Sequence, residues 1–392
     1  MASIEDRVLL LLSIKEPGKK IDFEHIREKI VRDEKSRDKS RDKSRDKSRD
    51  RDTIEDTIEN AAGGLVNELK KCLETLARQG LIKEERGSYA ITEKGERRIL
   101  ERLKQVGGDL NLSYRLVLKA KKYYPVIGEA MLPFLRDRAV SVIKVFSDEV
   151  EPLSKIKPLF VRYARYKPIP VFIEIKDLET LLRYVDQHAI DFIPYVHRLQ
   201  AREPDWFILD LDAGEELQKH PMSFELIKNV AQKAVEVLEE NEIEPCIKFS
   251  GSRGIQIWAK FDNSKLQSEG DLFAVYRRLA VTVQQKTEQK LQKEFKNLIN
   301  PNKPITTSQV AKKEERADQI LIDWSSMKPN GDVRAPFSMH YKTALISTPI
   351  PKSHLLEFEI QEAQPEYVMR NLAKLTSAFE LRASNPTKLL RN

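Results

Sequence analysis

The stretch Trp206-Phe-Ile-Leu-Asp210-Leu-Asp212-Ala-Gly214 is an apolar run that ends in two carboxylates one residue apart. The side chains of a β-strand alternate between its two faces, so Asp210 and Asp212 are expected to point to the same side. Two neighbouring carboxylates repel each other, and burying them is costly unless a cation lies between them. A divalent metal ion is the usual solution. The alternative is a strand that ends in a turn, with both acids solvated.

Three further segments with polar residues follow the paired aspartates. They are Phe249-Ser-Gly-Ser-Arg-Gly-Ile-Gln-Ile-Trp258, Ile320-Leu-Ile-Asp-Trp324 and Arg334-Ala-Pro-Phe-Ser-Met-His-Tyr-Lys-Thr343. In this order, the segments resemble the motifs of the archaeo-eukaryotic primase superfamily. Within that superfamily, the chain is most similar to the polymerase domain of bacterial and archaeal ligase D, the end-joining repair enzyme.

The likeness extends beyond these motifs and spans residues 125–365. Segments of the same family are also recognisable in Met131-Leu-Pro-Phe-Leu-Arg-Asp-Arg138, Ile193-Pro-Tyr-Val-His-Arg198 and Ser347-Thr-Pro-Ile350. The resemblance implies an α+β fold with a primase-type catalytic core, similar to an RNA-recognition motif, in which helices flank a mixed or antiparallel sheet.

The resemblance also implies a chemistry and its cofactors. A primase-polymerase transfers a nucleoside monophosphate from an NTP or dNTP to a 3′-hydroxyl, under the direction of a template, and uses two divalent ions, Mg²⁺ or Mn²⁺. By the same resemblance, the metal ligands and catalytic residues are Asp210, Asp212 and Asp323. Asp323 ends an apolar strand, as the first pair does, so its placement matches theirs.

The residues expected to hold the triphosphate come from two loops. The glycines and serines of residues 250–254 allow backbone N–H groups to approach phosphate oxygens, and an arginine adds positive charge. A hairpin turn without a ligand is the alternative for this loop. The resemblance favours the triphosphate site, and the nucleotide-binding residues it implies are Ser250, Arg253, Gln256, Ser338, His340 and Lys342.

Two positions depart from the ligase D pattern. Gln256 stands where the family ordinarily has histidine, and an amide can donate to a phosphate but carries no charge. The segment Ser338-Met-His340-Tyr-Lys342 replaces a Ser-x-Arg-x-Arg pattern and is more similar to the Ser-x-His-x-Lys-Thr of archaeal primase catalytic subunits. Phosphate contacts stay plausible there because a lysine and a ring donor are kept.

Composition agrees with a polyanionic partner. Of the 392 residues, 40% are hydrophobic and 33% charged, and the formal net charge is +7. Cys72 and Cys246 lie in unrelated contexts, so neither a disulfide framework nor a cysteine zinc site is expected, which predicts a reducing, cytoplasmic compartment. The apolar run at residues 8–14 is too short to span a bilayer, and no membrane partner is expected.

The first 106 residues are similar to a winged helix-turn-helix domain. Helical patterns at residues 3–13, 23–31 and 62–76 precede a small hairpin and a closing helix over 93–106. A Lys-Ser-Arg-Asp repeat over residues 35–52 is predicted to be a disordered insertion. Winged helices bind protein as readily as DNA, so both remain open. The candidate DNA contacts on the expected recognition helix are Lys70, Lys71 and Arg78.

The remaining chain divides into three parts. A helical linker is expected over residues 107–124, the catalytic domain over 125–365, and a helical to flexible basic tail over 366–392. Within the catalytic domain, Ser223 is expected to cap a helix, and residues 272–298 are expected to form a long amphipathic helix. Lys312 and Lys313 precede the third motif and could contact a DNA backbone, or simply lie in a solvated loop.

The sequence therefore predicts a template-dependent nucleotidyltransferase for DNA priming, gap filling or end-joining repair. Its expected partners are primer-template, gapped or single-stranded DNA and nucleoside triphosphates. No ligase or nuclease domain is visible, so a ligase or other replication and repair proteins would be separate partners. The alternatives are a catalytically weakened accessory subunit, suggested by Gln256, and a winged-helix transcription regulator.

Overall fold

A computed structural model describes most of the chain, in two compact units. One unit comprises Met1–Lys122, Lys144–Leu159 and Leu182–Ala189, and the other comprises Tyr123–Ile143, Phe160–Leu181 and Ile190–Asn392. The described residues are 3–13, 20–31, 51–106, 112–145, 159–201, 203–266, 269–294, 304–308 and 317–391.

The N-terminal residues form helices and a small antiparallel sheet. Helix α3 ends at Arg78, and Gly80, two residues later, has a φ of +68°, the left-handed conformation that glycine adopts without strain. The sheet has the order β1-β3-β2. The elements occur in the order predicted for a winged helix, and that assignment stays a prediction. They are α1 (Ile4–Ser13), β1 (Ile21–Asp22), α2 (23–31), α3 (Arg51–Arg78), β2 (Ile82–Glu85), β3 (Ser88–Ile91) and α4 (Glu93–Val106).

The next elements form two small sheets. Strands β5, β4 and β8 lie side by side in that order, and β6 pairs with β7 as a short antiparallel hairpin. The long helix α5 crosses the expected boundary between linker and catalytic domain at residue 124. The elements are α5 (Leu112–Met131), β4 (Val140–Lys144), β5 (Leu159–Val161), β6 (Tyr163–Arg165), β7 (Val171–Phe172), α6 (Leu178–Asp186) and β8 (Ala189–Pro194).

A seven-stranded mixed sheet forms the centre of the second unit. Its order is β12-β13-β9-β11-β10-β14, with β15 pairing with β11. The four strands from β13 to β10 run antiparallel to one another, whereas β12 is parallel to β13 and β15 is parallel to β11. This confirms the α+β class with helices flanking a mixed sheet. Its strands are β9 (Phe207–Ala213), β10 (Cys246–Phe249), β11 (Ile255–Phe261), β12 (Thr306–Ser308), β13 (Ile320–Asp323), β14 (Pro349–Ile350) and β15 (Ala383–Ser384).

One face of this sheet is apolar and covered by two helices, α7 (Ser223–Glu240) and α8 (Leu272–Glu294). Every second side chain of these strands points to this face. These side chains are buried against the apolar side chains on the inward-facing sides of both helices. On the central strand they are Phe207, Leu209 and Leu211. The opposite face of the same strands therefore carries the polar residues of the motifs.

Some expectations about local structure differ from the fold. Ser223 was expected to cap α7, but the helix begins at Ser223 with Met222 at the N-cap, and the Ser223 N–H donates to the His220 carbonyl in the preceding turn. The stretch expected to become a flexible tail is ordered through residue 391. It contains β15 and the helices α9 (Pro365–Arg370), α10 (Leu372–Ser377) and α11 (Thr387–Arg391), and Leu389 is fully buried in the core.

Two sequence predictions lie outside the described residues. The described part of the chain omits nearly all of the Lys-Ser-Arg-Asp repeat, and it omits Lys312 and Lys313 entirely. Among the described helices, none combines the length and apolarity needed to cross a membrane.

We expect Leu209→Ala to lower the free energy of unfolding by about 2–5 kcal/mol, because truncating a fully buried leucine removes apolar contact and leaves a cavity. Leu356→Ala is the matched control, since that side chain is 48% exposed and its loss should cost less than about 0.5 kcal/mol. Urea denaturation measures both. Equal effects of the two substitutions would contradict the assigned core.

Candidate active site

The polar face of the central sheet brings the acidic residues together. Asp210 and Asp212 project from the same side of β9, as the alternation predicted. Asp323, the last residue of β13, lies directly opposite Asp210 in the antiparallel ladder. Directly opposed residues of neighbouring strands have side chains close enough to interact. The fold therefore places three carboxylates from two adjacent strands on one surface.

Asp210 is the most perturbed of these acids. Its Oδ2 accepts a hydrogen bond from Gln256 Nε2 at 3.0 Å, and Gln256 lies opposite it on β11. Burial and the nearby Asp212 carboxylate raise the pKa of Asp210 to about 6, while the Gln256 hydrogen bond and the charge of Lys248 act in the other direction. The positive charge around Asp210 is therefore too small to offset the effect of burial and of Asp212 on its ionised carboxylate.

Asp212 has a cationic partner of its own. Arg253 Nε lies 2.9 Å from Asp212 Oδ2 and 3.1 Å from Oδ1, and the backbone N–H of Ala213 donates to Oδ1 at 2.9 Å. Burial raises the pKa of Asp212, and Arg253 opposes that rise. Arg253 is 58% exposed, so its ion pair is screened and contributes little stability. The guanidinium is free to exchange this partner for another anion.

The three carboxylates have the donor chemistry of a divalent cation site. Hard oxygen ligands suit Mg²⁺ and Mn²⁺, and the raised pKa of Asp210 marks negative charge that a cation would compensate. Over the described ranges, however, no three acidic, histidine or cysteine side chains already converge as a metal cluster. The oxygens are instead engaged by Gln256, Arg253 and, for Asp323 Oδ1, the Ser325 N–H at 2.6 Å. The donor atoms are of the type that a divalent cation takes, and in this structure they serve these other partners.

The loop between β10 and β11 is built around glycine. Gly251 has a φ of +88°, and a Cβ on Gly254 would lie 2.5 Å from the carbonyl oxygen of Leu211, so neither position accepts a side chain freely. The Ser250 hydroxyl accepts hydrogen bonds from the backbone N–H groups of Gly254 and Ser252. Ser250, predicted to bind phosphate, thus braces the loop from within.

Ser338 is also engaged inside the protein. It is fully buried, and its hydroxyl donates to Asp191 Oδ1 at 3.1 Å and accepts from the Phe192 N–H at 2.8 Å. Asp191 in turn binds the Arg334 guanidinium through both of its oxygens, and Arg334 Nη1 donates to the Ser250 carbonyl at 2.9 Å. This network ties the loop before β14 to the glycine loop.

His340 is anchored through its Nδ1. This atom lies 3.3 Å from the backbone nitrogens of Lys342 and Thr343 and 3.2 Å from the Thr343 hydroxyl oxygen. Burial, together with the positive charge of Arg334, lowers the pKa of His340 to about 4. His340 is therefore a neutral donor near pH 7. Lys342 is exposed, with its ammonium 5.5 Å from the centre of the Tyr341 ring.

Sequence reasoning missed Lys248. It lies opposite Gln256 on β10, so Asp323, Asp210, Gln256 and Lys248 form one row across four strands. Lys248 is fully buried, its Nζ donates to Ser347 Oγ at 2.6 Å, and burial holds its pKa well below the usual range. A lysine inside the otherwise apolar strand Cys246–Phe249, on the same alternation as Gln256, is the signal that could have found it.

The candidate DNA contacts of the N-terminal unit lie on one helix. Lys70, Lys71 and Arg78 are exposed on α3, and Lys70 Nζ lies 5.5 Å from the centre of the Phe23 ring. Exposed Glu68 and Glu74 share the helix with them. The arrangement leaves the predicted role of this helix in DNA binding open.

Two comparisons with known proteins found a match. The protein family described as LigD, primase-polymerase domain, matches residues 119–379. No curated protein matches the chain. Among solved structures, the polymerase domain from Mycobacterium tuberculosis ligase D in complex with DNA matches with 18% sequence identity and a TM-score of 0.49. That match covers 66% of this chain and 91% of the mycobacterial one.

The buried neutral state of His340 predicts a pH dependence of stability. Because the folded chain holds the pKa at about 4, against 6.5 for an unperturbed histidine, the unfolded chain takes up a proton first as pH falls. The free energy of unfolding should therefore lose about 3 kcal/mol between pH 6.5 and pH 4 through this residue, and His340→Gln should lack that loss. Denaturation at a series of pH values measures it, and parallel curves for the two proteins would contradict the assignment.

Proposed function

The chain belongs to the ligase D primase-polymerase domain family, and on that premise we propose that it is a template-dependent nucleotidyltransferase. It would add nucleotides from NTPs or dNTPs to a 3′-hydroxyl during DNA priming, gap filling or end-joining repair. The observation that carries this proposal is the cross-strand register that sets Asp323 against Asp210, with Asp212 beside them. A glycine loop suited to phosphates lies next to these acids.

Asp210, Asp212 and Asp323 are the residues that would hold the catalytic metals, Mg²⁺ or Mn²⁺. When bound, such ions lower the pKa of an attacking hydroxyl and neutralise charge on the leaving pyrophosphate. The protein's own part is to hold the carboxylates on one face of the sheet. Burial raises the pKa of Asp210, and the charge of Lys248, in the same row, acts to lower it.

The triphosphate would be bound by groups that are free to reach it. Arg253 is exposed and can turn from Asp212 to a phosphate, and Lys342 is an exposed cation. The neutral ring of His340, anchored through Nδ1 by the backbone of Lys342 and Thr343, would be a further polar contact. Ser250 and Ser338 would act indirectly, by bracing the loops that present these groups.

A DNA-binding surface is supported by residues 160–173, which include the β6–β7 hairpin. This segment contains Arg162, Arg165 and Lys167 and no acidic residue. Tyr166 is 67% exposed and contacts Tyr163 edge to face, with 5.5 Å between the ring centres. Aromatic side chains interleaved with cations bind single strands by stacking on bases and neutralising phosphates. We therefore assign the unpaired template or its overhang to this hairpin.

The N-terminal unit is proposed to be a winged helix that adds a second contact. Its basic residues on α3, Lys70, Lys71 and Arg78, would meet a DNA backbone, and a separate ligase or another repair protein would complete the reaction on the ends. Sequence-independent binding is expected, because phosphate contacts position a protein without reading bases.

Primer extension on a gapped duplex tests the function. With Mn²⁺ or Mg²⁺ and with NTPs or dNTPs in parallel, the native chain should extend the primer. Asp210→Asn and Asp323→Asn should each lower the rate at least about a hundredfold, because each removes a charged ligand from the metal site. DNA affinity, measured on the same substrate, should be unchanged.

Glu357→Gln is the matched acid-to-amide control, since that side chain is 78% exposed, and it should extend normally. Extension that survives in Asp210→Asn would contradict the assigned site. A native chain that binds the DNA but fails to extend the primer with either metal and either kind of nucleotide would instead be an accessory subunit.

The hairpin assignment predicts that Tyr166→Ala weakens single-stranded DNA binding about tenfold, since stacking on one base contributes about 1–3 kcal/mol. Leu356→Ala, another exposed apolar residue of the same unit, should have no effect. Fluorescence anisotropy with a labelled oligonucleotide measures both variants. Equal affinities of Tyr166→Ala and the native chain for the oligonucleotide would show that this hairpin does not bind the single strand.

A further inference from the structure

Gln256 has both ends of its amide engaged. It is 4% exposed, and it lies between Asp210 on the neighbouring strand and Trp258 two residues further along its own strand. Gln256 Nε2 donates to Asp210 Oδ2 at 3.0 Å, and Trp258 Nε1 donates to Gln256 Oε1 at 3.2 Å. The amide that was expected to reach a phosphate is therefore occupied within the sheet.

Trp258 decides which way this amide faces. An indole N–H only donates, so the atom that meets it must be the amide oxygen. The NH₂ group then has to face Asp210. The reversed amide would set two donors against each other at Trp258, and two acceptors against each other at Asp210, leaving buried polar atoms unpaired.

Trp258 is itself immobile. The side chain is fully buried, and its ring lies 4.8 Å from that of Trp206 and 5.7 Å from that of Phe379, centre to centre. Lys248 Nζ lies 5.3 Å from the centre of the same ring. Packing thus fixes the direction of the indole N–H, and the hydrogen bond from this N–H fixes the orientation of the Gln256 amide.

The carboxylate of Asp210 is oriented by this chain of contacts. Its Oδ2 is held by the Gln256 NH₂ group, while its Oδ1 lies 3.7 Å from the position that a Cβ on Gly254 would occupy. Oδ1 is therefore turned toward the glycine loop. That is the side on which the proposed function places the cation and the triphosphate.

We infer that Trp258 and Gln256 form a positioning pair that presents Asp210 Oδ1 to a divalent cation, and that Gln256 is not a phosphate ligand in this chain. The inference rests on the proposed function, since it requires that Asp210 bind a cation. Groups hydrogen-bonded to a metal ligand fix its direction, and their loss typically lowers metal affinity about 10–100-fold.

The test is Mn²⁺ affinity of the full chain without nucleotide or DNA, measured from the free-ion signal in electron paramagnetic resonance. Gln256→Met and Trp258→Phe should each weaken binding about tenfold. The double variant should bind no more weakly than Gln256→Met alone, because without the glutamine the indole has nothing to orient. A purely structural role of Trp258 would give effects that add.

Phe379→Leu is the control, since it disturbs the same aromatic cluster without a hydrogen bond to Gln256, and it should bind Mn²⁺ as the native chain does. Native affinity in Gln256→Met, or additive losses in the double variant, would overturn the inference. Gln256→Met leaves the aromatic cluster intact. Its Mn²⁺ affinity therefore tests the inference even if Trp258→Phe does not fold.

Asp210→Asn separates this inference from the proposed function. If Asp210→Asn binds Mn²⁺ as the native chain does, the cation is not held at Asp210, and both proposals fail. If Asp210→Asn loses binding while Gln256→Met and Trp258→Phe keep it, the metal site stands and the positioning pair alone is wrong.

Discussion

Everything at the candidate site depends on the register of four antiparallel strands. Asp323, Asp210 and the hairpin pair of Gln256 and Lys248 come from three separate segments of the chain and meet because each residue faces its neighbour in the ladder. Since the period of a strand is two, a slip of one residue would turn Asp210 into the apolar face beneath α7 and α8. Burial of the apolar face therefore fixes the position of the polar row. The same strand register determines both the stability of the core and the geometry of the site.

Charge is the second constraint, because the row and its surroundings bury several ionisable groups. Lys248 is held by Ser347, and its charge is disfavoured by burial and by Arg334, while Asp210 and Asp191 favour it. Arg334 is matched by Asp191 through two hydrogen bonds. Removing one partner of such a buried pair leaves a charge uncompensated, which costs more than the pair contributes. The buried cations and the acids beside them thus stabilise each other's charges, and a bound metal would complete the balance at Asp210.

The sequence predicted what alternation and local pattern control. The shared face of Asp210 and Asp212, the strand that ends in Asp323 and the glycine loop all follow from short segments, as does the closing helix over 93–106. Cross-strand neighbours cannot be read in this way, because pairing depends on long-range contacts. Lys248 is an exception, since it faces Gln256 across one hairpin and its strand alternation could have found it. The Ser338 hydroxyl, which the motif assigned to phosphate, bonds to Asp191 and Phe192 of a distant segment inside the fold. The buried Leu389 at the chain end was missed for the same reason.

The glutamine that replaces the expected histidine can be understood from its neighbours. Trp258 needs an acceptor and Asp210 a donor, and an amide supplies both from two atoms held apart by one carbon. A neutral imidazole could offer the same pair, but a protonated one has two donors and would leave the indole N–H without an acceptor. A protonated ring is also the state that a nearby ionised carboxylate favours. With a tryptophan at position 258, glutamine keeps one arrangement at every pH at which Asp210 is ionised, so its presence is compatible with an intact acidic site.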